Sequence, residues 1–190
     1  MLSKNEHRQR LILLRNELGI TRNKTLSLSI QQTFLAEFES NPSVQTIGLY
    51  APTNVEVQLD LISKKFIDMG RTITWPVIRP NYSLRFIAIN QTKKFTTNPF
   101  DILEPVDGDT IAPQHHNIII VPSIGVDNFG HRIGYGGGYY DRALSSLRRL
   151  KKRPLLVGVI CGFQKIDANI GEAHDIKLDC VCTETKVEWF

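Results

Sequence analysis

The stretch VQTIGLYAPTNVEVQLDLISKKFIDMGRTITW, Val44 to Trp75, holds the pattern that decides the fold. Val44 to Tyr50 is β-branched and apolar enough to be a strand, and Ala51-Pro-Thr-Asn54 breaks it. A helix is expected from about Val57 to Met69, closed by Gly70, and Arg71 to Trp75 is a second strand. Strand, helix, strand in that order predicts a right-handed crossover and a mainly parallel sheet.

The segments on either side extend this pattern. Leu84 to Ile89 reads as a further strand, followed by a polar loop to Pro105. Asn117 to Val121 and Leu155 to Ile160 are short continuous apolar runs, the signature of strands buried on both faces, and Cys180 to Thr183 is a last short strand. Toward the N-terminus, Ser3 and Glu6 form a capping box that starts a helix at about Lys4. Its apolar residues Leu11, Leu14 and Leu18 run to Gly19, while Lys4, Arg8 and Arg15 give it a basic face. A second helix is expected from Leu26 through Ile30, Phe34 and Phe38, ended by Asn41-Pro42. With no repeat, low-complexity tract or linker, residues 1–190 read as one domain.

At 190 residues, 42% hydrophobic and 22% charged, the composition is that of a globular protein with one sizeable core. The net charge of +4 suits an anionic partner, a class that includes nucleic acid, nucleotide phosphates and polycarboxylates. Part of the surplus is local, in Arg142, Arg148, Arg149, Lys151, Lys152 and Arg153. Cys161, Cys180 and Cys182 form no even disulfide framework, so a reducing, cytoplasmic compartment is expected and the thiols should pack as small apolar groups. The opening MLSKNEHRQR has no signal-peptide pattern, and no run approaches the roughly 18 apolar residues of a membrane span. His115-His116 invites a metal reading, but neighbours in an extended segment face opposite ways, and the pair is read as loop.

The chemistry concentrates in His131-Arg-Ile-Gly-Tyr-Gly-Gly-Gly-Tyr-Tyr-Asp-Arg142, with four glycines in five residues before an expected helix from about Tyr139 to Leu150. Glycines let a backbone approach a bulky anion and aim several amides at it, and a helix N-terminus adds partial positive charge. Two familiar phosphate patterns fail: no Gly-Lys-Ser or Gly-Lys-Thr ends the stretch, and Tyr139 stands where a dinucleotide fingerprint needs glycine or alanine.

Read as a set, Val121-Pro122, Asp127, Gly130 and Arg132 through Arg142 resemble the signature of the 5-formyltetrahydrofolate cyclo-ligase (methenyltetrahydrofolate synthetase) family. The resemblance extends through Lys4 and Arg8, Ile47 to Glu56, Gly70 to Pro76, Asp101 to Pro105, His174-Asp175 and Thr183-Glu184. It implies an α/β sandwich with a mainly parallel sheet flanked by helices, similar to the sugar-phosphate isomerase and CoA-transferase folds. It also implies a reaction, in which ATP phosphorylates the formyl oxygen of 5-formyltetrahydrofolate and the neighbouring folate nitrogen attacks the activated carbon, with loss of phosphate, to give 5,10-methenyltetrahydrofolate, ADP and phosphate.

By resemblance, Lys4, Asn5, Glu6, His7 and Arg8 hold ATP together with Arg132, Ile133, Gly134, Tyr135, Gly136, Gly137, Gly138, Tyr139 and Tyr140. Lys4, Arg8, Arg132 and Tyr139 carry the catalysis, Ala51, Glu56 and Tyr139 contact the folate, and Asp141 and Asp175 bind magnesium. Glu56 would otherwise be an ordinary helix-start carboxylate. The implied partners are ATP and a folate with or without a polyglutamate tail, with no nucleic acid and no membrane, and the implied state is a monomer. Val126, Leu59 and Ala173 depart from the family pattern, the first at the folate pocket. Two other functions compete: a basic RNA-binding module, suggested by an isoelectric point of about 9.0, and a sugar-phosphate isomerase that works without ATP.

Overall fold

The computed structural model describes residues 2–92, 94–172 and 174–190. Helices α1 (Lys4–Glu17) and α2 (Ile20–Phe38) come first, followed by β1 (Thr46–Gly48), α3 (Asp60–Asp68), β2 (Thr72–Arg79) and β3 (Ser83–Ala88). Next are β4 (Phe95–Thr97), β5 (Leu103–Pro105), β6 (Thr110–Ile111), β7 (Ile118–Val121), β8 (Gly125–Asp127), β9 (Arg132–Ile133) and α4 (Tyr139–Ala143). The chain ends with β10 (Leu155–Val159), β11 (Lys165–Ile166), β12 (Cys180–Cys182) and β13 (Val187–Trp189).

Among the described residues the main sheet runs β13-β12-β10-β7-β1-β2-β3-β6. Its five central strands are parallel, while β13, β3 and β6 add antiparallel edges. The β1-α3-β2 unit is the parallel pair expected from the opening stretch, with Ile47 opposite Ile73.

The apolar run of β7 explains why the core is two-sided. Ile118 and Ile120 pack with Phe34, Phe38, Ile62 and Phe66 of α2 and α3. Ile119 and Val121 face the other way, against Phe86, Leu144, Leu147 and Leu178. All three cysteines are buried in the first cluster, and burial pushes the Cys161 and Cys180 thiols up to about 11 and about 12.

Four boundaries differ from the sequence reading. Helix α2 begins at Ile20 rather than Leu26, because its first turn is polar and is buried through Asn23 rather than through apolar contacts. Helix α3 begins at Asp60, so Glu56 lies in the loop ahead of it and not at a helix start. The expected loop to Pro105 contains a hairpin, β4 with β5, and β6 follows it. The helix expected from Tyr139 to Leu150 is α4 alone, followed by a 3-10 turn over Ser145–Arg149. Ser145 and Ser146 are poor helix formers, and the tighter turn lets Leu144 and Leu147, three apart, enter the core together.

Candidate functional site

Strand β1 has β2 on one side and β7 on the other, so the chain winds in opposite directions from it. Such a switch point leaves a crevice beyond the carboxyl ends of the strands. There the protein has a cleft of about 1220 Å³, reached by Tyr50 and Ala51 after β1, Pro76 and Ile78 of β2, and Pro122 after β7.

Helix α1 spans this cleft through the cations expected to form a basic face. Lys4 Nζ donates to Asp175 Oδ2 at 2.7 Å, Arg8 Nε to the Gly134 carbonyl at 2.8 Å, and Arg15 Nε and Nη2 to the Val55 carbonyl at 2.9 and 2.8 Å. One helix thereby fixes three separate walls. The glycine-rich turn takes its shape from Gly136 at φ 96° and Gly138 at φ 63°, left-handed conformations that side chains resist. With only five residues, α4 adds little dipole, so the turn's anion-binding capacity rests on its backbone amides and the surrounding cations.

Asp141 and Asp175 come together on the far wall. The Ile176 amide donates to Asp141 Oδ1 at 3.1 Å, and Arg132 Nη2 donates to the same oxygen at 3.0 Å. Burial raises the Asp175 pKa, but the Lys4 ammonium and the Glu172 amide outweigh it and hold the carboxyl below its usual range. Two carboxylates beside a phosphate-sized turn form a set of hard oxygen donors that fits magnesium.

Glu56 is buried in the same cleft, and its Oε2 accepts from the Thr53 amide at 2.8 Å. Three phenols gather near it. Burial first and the Glu56 charge second push up the pKa values of Tyr50, Tyr135 and Tyr140. A polar stripe on α2 holds the loop that carries Glu56. Asn23 Nδ2 donates to the Asn54 and Glu56 carbonyls at 2.9 and 3.0 Å, and Ser27 Oγ accepts from the Gln58 amide at 3.0 Å. Gln31 Oε1 accepts from Leu61 and Ile62 at 2.8 and 3.1 Å, capping α3 from outside because α3 has no side-chain cap of its own.

Of the residues singled out in the sequence, Lys4, Arg8, Ala51, Glu56, Arg132, Gly134 to Asp141 and Asp175 line the cleft. Asn5, Glu6, His7 and Ile133 do not: Glu6 closes the capping box with Ser3, Asn5 Oδ1 accepts from Arg8, and Ile133 is core. Val126 is fully buried in the core and Leu59 sits in the first apolar cluster, neither on the cleft wall, while Ala173 lies outside the described residues. Missed in the sequence were Tyr82, Phe100 and Glu104, brought in by the hairpins. The sequence signal for the first was Asn81 ahead of Tyr82, a turn residue in a strand-to-strand connection.

Three residues of the basic cluster are committed within the fold, Arg142 through the Tyr82 and Gly137 carbonyls. Arg153 forms a paired ion bridge with Asp179 at 2.7 Å, and Arg148 donates to the His174 and Asp175 carbonyls. Buried His116 bonds the Thr74 hydroxyl at 2.8 Å and the Ala112 carbonyl at 3.1 Å, a structural role.

The family model described as the 5-formyltetrahydrofolate cyclo-ligase family matches residues 1–184. A 5-formyltetrahydrofolate cyclo-ligase of Mycoplasma pneumoniae is 26% identical over 187 residues, covering 96% of this chain and 99% of the relative. One from Escherichia coli K12 is 28% identical over 149 residues, 76% of this chain and 81% of the relative. A solved Aquifex aeolicus 5,10-methenyltetrahydrofolate synthetase superposes with a TM-score of 0.82 at 27% identity, covering 98% of this chain and 92% of that one.

Proposed function

Because the chain belongs to the 5-formyltetrahydrofolate cyclo-ligase family, we propose that it is a ligase that converts 5-formyltetrahydrofolate and ATP to 5,10-methenyltetrahydrofolate, ADP and phosphate, acting as a cytoplasmic monomer. The observation that carries this reading is the layout of one cleft. A glycine turn with Lys4, Arg8 and Arg132 shares this cleft with a buried carboxylate, Glu56, set among the rings of Tyr50, Tyr135 and Tyr140. A triphosphate and a pterin differ in these same demands. The first needs amides and cations, the second a flat pocket with an acceptor for its donor edge.

In the proposed reaction the formyl oxygen attacks the γ-phosphorus of ATP and ADP departs with the bridging oxygen. The neighbouring N10 then attacks the activated formyl carbon, and the C–O bond breaks to release phosphate, which carries away the N10 proton. Amides of the 134–138 turn hold the phosphate oxygens, while Lys4 and Arg132 offset charge on the transferring group. Glu56 orients the pterin so that its formyl oxygen faces that group, and Tyr139, next to the turn, borders both substrates. Asp141 and Asp175 would hold magnesium, which supplies charge neutralisation on the phosphate oxygens. The polycarboxylate tail, with or without further glutamates, suits the positive balance of the chain.

The test mixes protein, 5-formyltetrahydrofolate and magnesium with and without ATP and follows methenyl absorbance. ATP-dependent product is expected, and its absence in the complete mixture would defeat the proposal. Lys4→Ala and Asp141→Asn should each lower turnover by about a hundredfold or more while remaining folded. Asparagine keeps the oxygen that accepts from Arg132 and Ile176, so its loss isolates the charge. Near-normal rates in both would remove the phosphate and metal roles.

A further inference from the structure

The turn joining β2 to β3 has a conformation its sequence does not favour. Asn81 and Tyr82 have φ of 61° and 55°. Asparagine tolerates this left-handed region, but a tyrosine there is a strained outlier where glycine would be the ordinary choice. Tyr82 is 59% exposed, yet its ring is not loose. It lies 5.5 Å from the Tyr139 ring, and the Arg142 guanidinium sits 4.8 Å above it. Arg142 also donates from Nε to the Tyr82 carbonyl at 3.4 Å and from Nη2 to the Gly137 carbonyl, joining the hairpin tip to the glycine turn.

The surroundings indicate what this ring is for. The cleft lining contributed by the two hairpins is mainly apolar, Pro76, Ile78, Leu84, Phe100 and Ile102, with Glu104 held by Asn98 and the Ile78 amide. The same cleft carries the charged groups Lys4, Arg8, Arg132, Asp141 and Asp175. On the reading proposed above, which this inference presupposes, the pterin lies by Glu56 and its formyl group faces these charged groups. Beyond N10 the substrate continues as a flat p-aminobenzoyl ring followed by a glutamate carboxylate. That sequence of groups matches an apolar wall, an exposed aromatic face and then an arginine.

We propose that Tyr82 is a specificity-determining residue whose ring stacks on the p-aminobenzoyl ring of the folate. Aromatic pairs of this kind are worth roughly a two- to tenfold change in affinity, beyond the area they bury.

Glycine is the informative replacement, because it removes the ring and also suits the backbone at φ 55°. For Tyr82→Gly, calorimetry should show 5-formyltetrahydrofolate bound about tenfold more weakly. Binding of 5-formyl-6-methyltetrahydropterin, which lacks the benzoylglutamate, should not change, and the melting midpoint should match or exceed that of the parent protein. Tyr82→Phe, which keeps the ring, should restore the affinity. Equal weakening of folate and truncated pterin would mean that the ring acts by holding the glycine turn and would overturn the proposal. So would weakened ATP binding with folate unchanged, which would place adenine here, and so would no change in either. Because binding is read directly, a protein that failed to form methenyl product would sink the reaction above and leave this comparison decisive.

Discussion

The Tyr140 hydroxyl is buried in the cleft wall without a hydrogen-bond partner among the described residues, an arrangement that costs about 1–3 kcal/mol. Burial and then the Glu56 carboxylate hold its pKa far above the ordinary phenol range, against the pull of Arg132, so it stays protonated and acts as a donor. A donor without an acceptor, near both Glu56 and Arg132, suits an oxygen brought by a ligand. Tyr140→Phe should therefore leave the denaturation midpoint unchanged or higher while kcat/KM falls about tenfold. Lower stability with unchanged kcat/KM would make the hydroxyl structural. At this scale the sequence revealed residue types but not pairings. Lys4, Arg8, Glu56, Asp141 and Asp175 all reach the cleft as expected, yet the partners of Lys4 and Arg8 lie 171 and 126 positions away, and no local pattern encodes such contacts.

At the level of elements, α2 best shows what periodicity leaves out. Its apolar residues gave the face that meets the sheet, whereas Asn23, Ser27 and Gln31, at spacings of four, form a buried polar ladder that holds residues 54–62. Polar residues on a helix ordinarily mark its solvated side, so this ladder had no sequence signature, and the helix start was read six residues late. The ladder has a testable consequence. Asn23→Ala strips two hydrogen bonds from the backbone of the Glu56 loop and should cost about 1–2 kcal/mol of stability. It should raise KM for 5-formyltetrahydrofolate severalfold while KM for ATP stays put, because the glycine turn is anchored separately by Arg8. Steady-state kinetics with each substrate varied in turn decides this. Parallel rises in both KM values would mean that the two walls move as one.

Across the whole molecule, the parallel centre of the sheet was legible because strands buried on both faces read as unbroken apolar runs, as in Ile118 to Val121. The short β4, β5 and β6 were not: they are two or three residues long, β4 is exposed and β5 buries the charged Glu104, and the β4-β5 hairpin brings Phe100 and Glu104 to the cleft. Joining these layers, His116 sits between β2 and β3, bonded to Thr74 and edge-on to Phe86, with its pKa lowered to about 4 chiefly by burial. Its ordinary value is about 6.5, so an unfolded chain takes up this proton first. The depressed value stabilises the fold fully above about pH 6.5, and that contribution, about 3 kcal/mol, is lost as pH falls through about 4. Asp127 and Asp175 extend the loss downward. Burial opposes their ionisation, but the amides of Ile170, Phe129 and His131 around Asp127 and the Lys4 ammonium at Asp175 hold both below the usual carboxylate range. Their contribution is present above about pH 4 and disappears beneath it. Urea unfolding from pH 7.5 to 4 should show stability declining from about pH 6.5. In His116→Gln the curve should start lower and stay nearly flat to about pH 4.5, where the carboxylates take over. An equally steep decline in that variant would assign the acid sensitivity to other groups.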